Sequence, residues 1–164
     1  MTEVVEEPPQ VMTALRRSVE ELCAGRTDVV IEHNFVEEPG SNGWNTILSP
    51  VGQGSKVWFW YDGFDEDLML MIDDEYYFEW LWDAVADEAA VVADVRGICS
   101  AVLAGDLRVR RAGLQRHLDV WTPDGRRWTG PGRASLFPWK RPLLRAPDGR
   151  LPGYGPRGGA WRRR

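Results

Sequence analysis

The sequence predicts an α+β fold: an antiparallel meander sheet with two helices packed on it, followed by an extended C-terminal tail. Three observations predict it. Strand-like segments cluster between residues 28 and 82 with short polar connections, as in an antiparallel sheet and unlike alternating β and α units. Two other segments carry apolar residues at helical spacing. Beyond residue 129 the chain holds six prolines, seven glycines and many arginines, with too few apolar residues for a second core. The expected organisation is a flexible acidic lead over 1–9, a single α+β domain over 10–130 and a basic tail over 131–164.

Pro9 suits the first turn of a helix, where its missing N–H would have no partner. Val11, Leu15, Val19 and Leu22 then recur at helical spacing, with Met12 and Cys23 beside them and Arg16, Arg17, Glu20 and Glu21 opposite. Gly25 is a natural stop, so the spacing predicts a helix over 10–24. Residues 28–36 are β-branched and roughly alternating, which predicts a strand. Residues 37–55 are rich in Gly, Pro, Ser and Asn and read as a long loop, with room for a brief strand at Thr46-Ile47-Leu48. Lys56–Tyr61, Asp67–Asp73 and Tyr76–Trp82 read as three meander strands joined by short polar turns.

In the first of these strands Val57, Phe59 and Tyr61 alternate with Trp58 and Trp60. Both faces are therefore apolar. Either the strand is covered on both sides or it offers one aromatic face to a partner. Asp83 is a suitable N-cap, and Ala84, Val91, Val92, Val95, Ile98, Cys99 and Val102 form one stripe, predicting a helix over 84–104 that ends at Gly105. Leu107–Arg111, Leu114–Thr122 and Arg126–Thr129 complete the strands, with Pro123-Asp124-Gly125 as a turn.

Composition narrows the function classes. The 164 residues are 43% hydrophobic and 27% charged, near the average for a globular domain. No apolar run reaches the roughly 18 residues of a membrane span. The acidic start is unlike a secretory signal, and two cysteines make no disulfide framework, so the expected compartment is the cytoplasm. Charge is segregated along the chain. Residues 1–100 hold 21 acidic and 5 basic residues, a net of −16, and residues 101–164 hold 4 acidic and 15 basic, a net of +11. Only two of the 20 basic residues are lysine, which is the mark of a GC-rich genome, but codon bias does not separate the signs. Such asymmetry points to self-docking or to charged partners.

No motif identifies a reaction. Gly52-Gln53-Gly54-Ser55-Lys56 lacks the order and the following helix of a phosphate loop. His33 and His117 have no sequence partner for catalysis, and Cys23 and Cys99 fall on apolar helix sides as small hydrophobes. No catalytic residue, metal site or cofactor is therefore assigned. Asp62, Asp65, Glu66 and Asp67 form one acidic turn, and Asp73, Asp74 and Glu75 a second. Acidic residues are ordinary in hairpin turns, and these two turns fall at opposite ends of one strand, too far apart to share an ion. The nine tryptophans are the compositional outlier, and Trp58, Trp60, Trp80 and Trp82 fall in the meander. Most suit a core, and some suit a contact surface. In the tail, basic residues interleave with aromatics. That suits nucleic acid, and it suits equally a segment that folds back on the acidic half, with Phe137, Trp139, Arg141 and Arg145 as its contacts.

The run Tyr76-Tyr77-Phe78-Glu79-Trp80-Leu81-Trp82-Asp83, the helix end Val102-Leu103-Ala104-Gly105 and the basic strand Leu107-Arg108-Val109-Arg110-Arg111 resemble the layout of small bacterial α+β proteins of the immunity type. The resemblance spans about a third of the chain, and the Arg-rich tail departs from it. It implies an acidic domain that neutralises a toxin by binding and performs no chemistry. The expected function is accordingly a non-enzymatic protein-binding module. It would receive a basic partner on Trp58, Trp60, Asp62, Asp65, Glu66, Asp67, Asp73, Asp74 and Glu75. The alternatives are a nucleic-acid-binding protein that uses the tail, and a carboxylate-dependent metalloenzyme that uses Asp62, Asp65 and Asp67. No membrane partner is expected.

Overall fold

The structure, a computed structural model, describes residues 7–38, 41–63, 65–81, 87–112 and 115–132. Phe137, Trp139, Arg141 and Arg145 of the tail, and Trp82 and Asp83, lie outside the described residues. The fold is α+β, with two helices and two antiparallel sheets among the described residues. Helix α1 spans Gln10–Cys23 and buries Val11, Met12, Leu15, Val19 and Cys23, the stripe its spacing predicts. Helix α2 spans Glu88–Ala104. Asp87 caps it, its carboxylate accepting from the Ala90 N–H at 3.2 Å, and residues 84–86 of the predicted helix lie outside the described residues. It stops at Gly105, whose φ of 78° is left-handed, and the Asp106 N–H closes back on the Ala101 carbonyl at 2.9 Å. Among the described residues no helix is long and apolar enough to cross a membrane.

Strands β1 (Val29–Glu38), β2 (Ser41–Pro50), β3 (Val57–Asp62), β4 (Leu68–Ile72) and β5 (Tyr76–Trp80) form a five-stranded meander in chain order. The long loop expected over 37–55 is largely strand β2. Its Gly, Asn and Ser content hides a period of two: Trp44, Thr46 and Leu48 are buried, while Asn45, Ile47 and Ser49 are only half-buried. Pairing on both sides, with β1 over ten residues and with β3 over six, overrides the weak local propensity.

After α2 the described residues form a second sheet rather than extending the first: β6 (Leu107–Ala112), β7 (Gln115–Trp121) and β8 (Arg127–Pro131). Strand β8 returns beside β5, and among the described residues a single backbone bridge, Tyr76 to Gly132, links the two sheets. Side chains complete the junction. Trp128 packs against Phe78 and Trp80, with ring centroids 6.4 and 5.7 Å away. A Cβ at Gly130 would meet the Phe78 ring, so only glycine lets β8 approach this closely. Asp94 of α2 pairs with Arg126 at 2.7 Å and accepts from the Trp80 indole at 3.4 Å.

Both helices and one face of each sheet share a single core. The inner face of the large sheet contributes Leu48, Val57, Phe59, Tyr61, Leu70, Tyr76 and Phe78, and the small sheet Leu107, Leu118 and Val120. Arg96 ties the helices together by donating to Ser18 Oγ at 3.2 Å.

Candidate functional site

Alternation assigns Trp58, Trp60 and Asp62 of β3 to the face opposite Val57, Phe59 and Tyr61. The antiparallel register then brings two rows across this outer face. One row runs Glu32, Ile47, Trp58, Met71, Tyr77, and the other Asn34, Asn45, Trp60, Met69, Glu79. The core shared with the helices contains none of these residues: Met71 is buried, yet it stands outside that cluster. Trp58 and Trp60 are half-buried, and Tyr77 is 38% exposed. An aromatic and apolar surface therefore lies on the side of the sheet away from the helices. Ile47, Met69, Met71 and Tyr77 fall outside the expected site set. Their parity was legible in the sequence, but their convergence depends on the pairing register.

The indoles are fixed by specific neighbours. Trp58 donates its ring N–H to Asp74 Oδ1 at 2.7 Å, and Lys56 Nζ donates to the other oxygen of the same carboxylate at 2.7 Å. Trp60 lies over Gly43, where any Cβ would overlap its ring. Small size, rather than backbone freedom, is what this glycine supplies.

The two acidic turns differ in kind. The β3–β4 turn places Asp62, Asp65, Glu66 and Asp67 together. It is closed by the Asp62 N–H donating to the Asp67 carbonyl at 2.9 Å and the Glu66 N–H donating to the Asp62 carbonyl at 3.0 Å. Asp65 and Glu66 are exposed. Burial raises the Tyr61 pKa above its ordinary value, and the charges of Glu66, Asp62 and Asp67 raise it further.

The β4–β5 turn carries positive φ of 55° at both Asp73 and Asp74, conformations that aspartate tolerates in tight hairpins. Its carboxylates serve the fold. Asp73 Oδ1 accepts from the Lys56 N–H at 2.9 Å. The residue is exposed overall, but its carboxyl sits against the start of β3, and that desolvation raises its pKa despite hydrogen bonds from Ser55 and Lys56. Asp74 holds Trp58 and Lys56. Glu75 is buried against Arg116 of the small sheet, 3.6 Å from its Nη1. Of the seven expected acidic partner residues, these three therefore have structural work, and in the β3–β4 turn Asp65 and Glu66 are the exposed carboxylates, with Asp62 and Asp67 half-buried. The two turns sit at opposite ends of β4 and do not converge.

The remaining candidates have structural places. Strand β3 follows the Gly52–Lys56 loop directly, and Lys56 is committed to Asp74, so no phosphate cradle forms there. His33 bridges the large sheet and α1 through Thr46 Oγ1 at 2.9 Å and Glu20 Oε1 at 3.0 Å. Cys23 and Cys99 are free and buried, and burial pushes the Cys99 thiol up to about 12, far from a reactive thiolate. Among the described residues no group of three or more His, Cys, Asp or Glu is placed to hold a metal ion. A scan of protein-family models, a search of curated proteins and a search of solved structures each return no match.

Proposed function

We propose that this chain is a non-enzymatic protein-binding module that receives a basic protein partner on the outer face of its large sheet, in the manner of the immunity-type proteins its layout resembles. The observation that carries this reading is the pair of half-buried indoles, Trp58 and Trp60, in register with Ile47, Met69, Met71 and Tyr77 and bordered by Asp62, Asp65, Glu66 and Asp67. Aromatic anchors surrounded by charge are the usual anatomy of a binding patch. The roles divide accordingly. Trp58 and Trp60 fill pockets on the partner and set the dissociation rate, while the carboxylates steer encounter and give salt dependence. Trp58 is held in place by Asp74, so little side-chain freedom is lost on binding.

The test is titration calorimetry of the full chain against basic proteins encoded beside its gene. Trp58→Ala or Trp60→Ala should weaken the complex at least about 30-fold, the effect of a hot-spot residue worth about 2 kcal/mol. Trp121→Ala, an exposed tryptophan of the small sheet, should leave it unchanged. A complex indifferent to both outer-face substitutions, or salt-sensitive binding to nucleic acid with no protein complex, would reject the reading.

A further inference from the structure

We infer that the free edge of the large sheet is a dimerisation seam: strand β1 pairs antiparallel with β1 of a second copy, about a two-fold axis at His33, and joins the two large sheets into one. The inference does not depend on the partner-binding reading, and its test uses no other protein.

The first observation is the edge itself. Strand β1 is the first of the meander and, among the described residues, pairs only with β2. In an antiparallel pair alternate residues turn both backbone groups toward the neighbour, and the residues between them turn both away. The Asp28 carbonyl accepts from the Val51 N–H at 3.0 Å, which continues the β1–β2 register and makes the even-numbered residues the ones that face β2. Arg16 agrees with this, since its Nη2 reaches the Asn34 and Asn45 carbonyls together, at 3.1 and 3.3 Å, as it can only where they face each other between the strands. Val29, Ile31, His33, Phe35 and Glu37 therefore direct their N–H and C=O groups out from the edge. The strand is ten residues long and contains neither proline nor lysine, two of the devices that keep an edge unpaired.

The second is the apolar surface left along that edge. Val30 is 48% exposed on the outer face and Phe35 38% exposed on the inner one, although both belong to a regular strand of the sheet.

The third is self-complementarity, which selects a second copy as the occupant. With His33 opposite its own copy, the pairs that exchange backbone hydrogen bonds include Val29 with Glu37 and Ile31 with Phe35. The pairs between them are Val30 with Val36 and Glu32 with Asn34. Each of these pairs occurs twice by symmetry. Val30 and Phe35 are thereby covered by apolar side chains, and no two carboxylates stand opposite each other from 29 to 37. Moving the axis to Glu32 would set that carboxylate against itself, and moving it to Asn34 would set Ile31 against Glu37. Each His33 ring is held within its own copy between Thr46 and Glu20. At the start of the strand the Asp28 carboxylate is paired with Arg26 at 2.9 and 2.7 Å, so it adds little to the acidic charge of the edge. Opposite residues share a face, so the inner face of one sheet continues the inner face of the other and the two outer faces lie on the same side. A seam one strand wide lies at the small end of specific interfaces, so the dissociation constant is expected to be on the order of 10 μM.

Sedimentation equilibrium of the full chain from about 2 to 300 μM should show a monomer–dimer equilibrium within that range. Both copies carry a net charge of −5, so added salt should leave the dimer intact or strengthen it. Self-association that salt dissolves would come from pairing of the acidic half of one copy with the basic half of another, and would overturn the seam. Asn34→Glu, at an exposed position, sets two like-charge pairs across the seam and should weaken the dimer at least about fivefold. Adding Glu32→Lys reverses the charge opposite and should restore it, with circular dichroism equal to the parent's establishing that each variant is folded. The register is read by oxidising a mixture of a Val30→Cys chain with a Val36→Cys chain. Positions 30 and 36 of two copies are adjacent in this register, whereas two copies of either position lie about 20 Å apart. The mixture should therefore give at least about tenfold more disulfide-linked dimer than either variant alone. Cys23 and Cys99 are buried and should stay out of these products. A chain that remains monomeric at the highest concentration, a dimer that Asn34→Glu does not weaken, or equal cross-linking in the mixture and in the single variants would overturn the seam.

Discussion

Glu75 is 5% exposed and sits at the junction of the two sheets, facing Arg116 across 3.6 Å. A charge placed there is tolerable only while its counterpart remains, because the interior cannot solvate either group. Glu75→Gln removes the negative charge that faces the largely buried Arg116 guanidinium, and the expected loss is about 3 kcal/mol in urea unfolding. Replacing both residues, as Glu75→Leu with Arg116→Met, should recover most of that loss, because the cost lies in the stranded charge rather than in the pair's net attraction. A single-variant loss below about 1 kcal/mol would show that solvent reaches the pair. Gly43 makes the complementary point about size: it is required because the Trp60 ring occupies the space a side chain would need.

At the scale of elements, strand β7 binds its own sheet through Asp119. Its Oδ2 accepts from Arg110 Nε of β6 at 2.8 Å, and its Oδ1 accepts from Thr129 Oγ1 of β8 at 2.7 Å. Burial by itself would raise this carboxyl's pKa. The hydrogen bonds from Thr129 and Arg110, with the Arg110 charge, outweigh burial and hold it below the usual aspartate value. A folded-state pKa below the unfolded one means that the fold favours the carboxylate. Its contribution is therefore complete above the unfolded value of about 3.9 and disappears as pH falls through the folded value. The stability gap between the parent and Asp119→Asn should be about 2 kcal/mol at pH 7 and should close below about pH 4. Urea midpoints measured from pH 7 to pH 2 check this, and a gap that stays constant over that range would show that the carboxylate's charge contributes nothing.

Across the whole molecule, two sheets joined among the described residues by one backbone bridge nevertheless share one core. The inner faces of both sheets pack on α1 and α2, and Trp128 is laid against Phe78 and Trp80 where the sheets meet. Unfolding should therefore be a single transition, with circular dichroism and tryptophan fluorescence coincident. Trp128→Ala should shift both probes together by about 2 kcal/mol, less than the 3–5 kcal/mol typical of a fully buried aromatic, because this ring is half-buried. If amides of β6–β8 exchange at a denaturant concentration that leaves β1–β5 protected, the small sheet is a separate cooperative unit.

What the sequence determined by itself was local. The helical stripes from Val11 to Cys23 and from Val91 to Val102, the stop at Gly105, the alternation in Val57–Tyr61 and the acidic turns all follow from the period of side chains and the chemistry of caps and turns. It located Trp58 and Trp60 on one face but could not say which residues joined them there. Strand β2 was hidden because its Gly, Asn and Ser content favours a loop locally, and only pairing with β1 and β3 makes it a strand. The division into two sheets was equally invisible, since it depends on β8 returning beside β5 after α2 and two strands have intervened. The acidic turns looked alike as sequence, yet one exposes Asp65 and Glu66 while the other anchors Trp58, Lys56 and Arg116. Those partners lie 16 or more residues away along the chain. Contacts at that separation are set by the packing of the whole chain, so only the tertiary structure decided which charges belong to the fold and which to the surface.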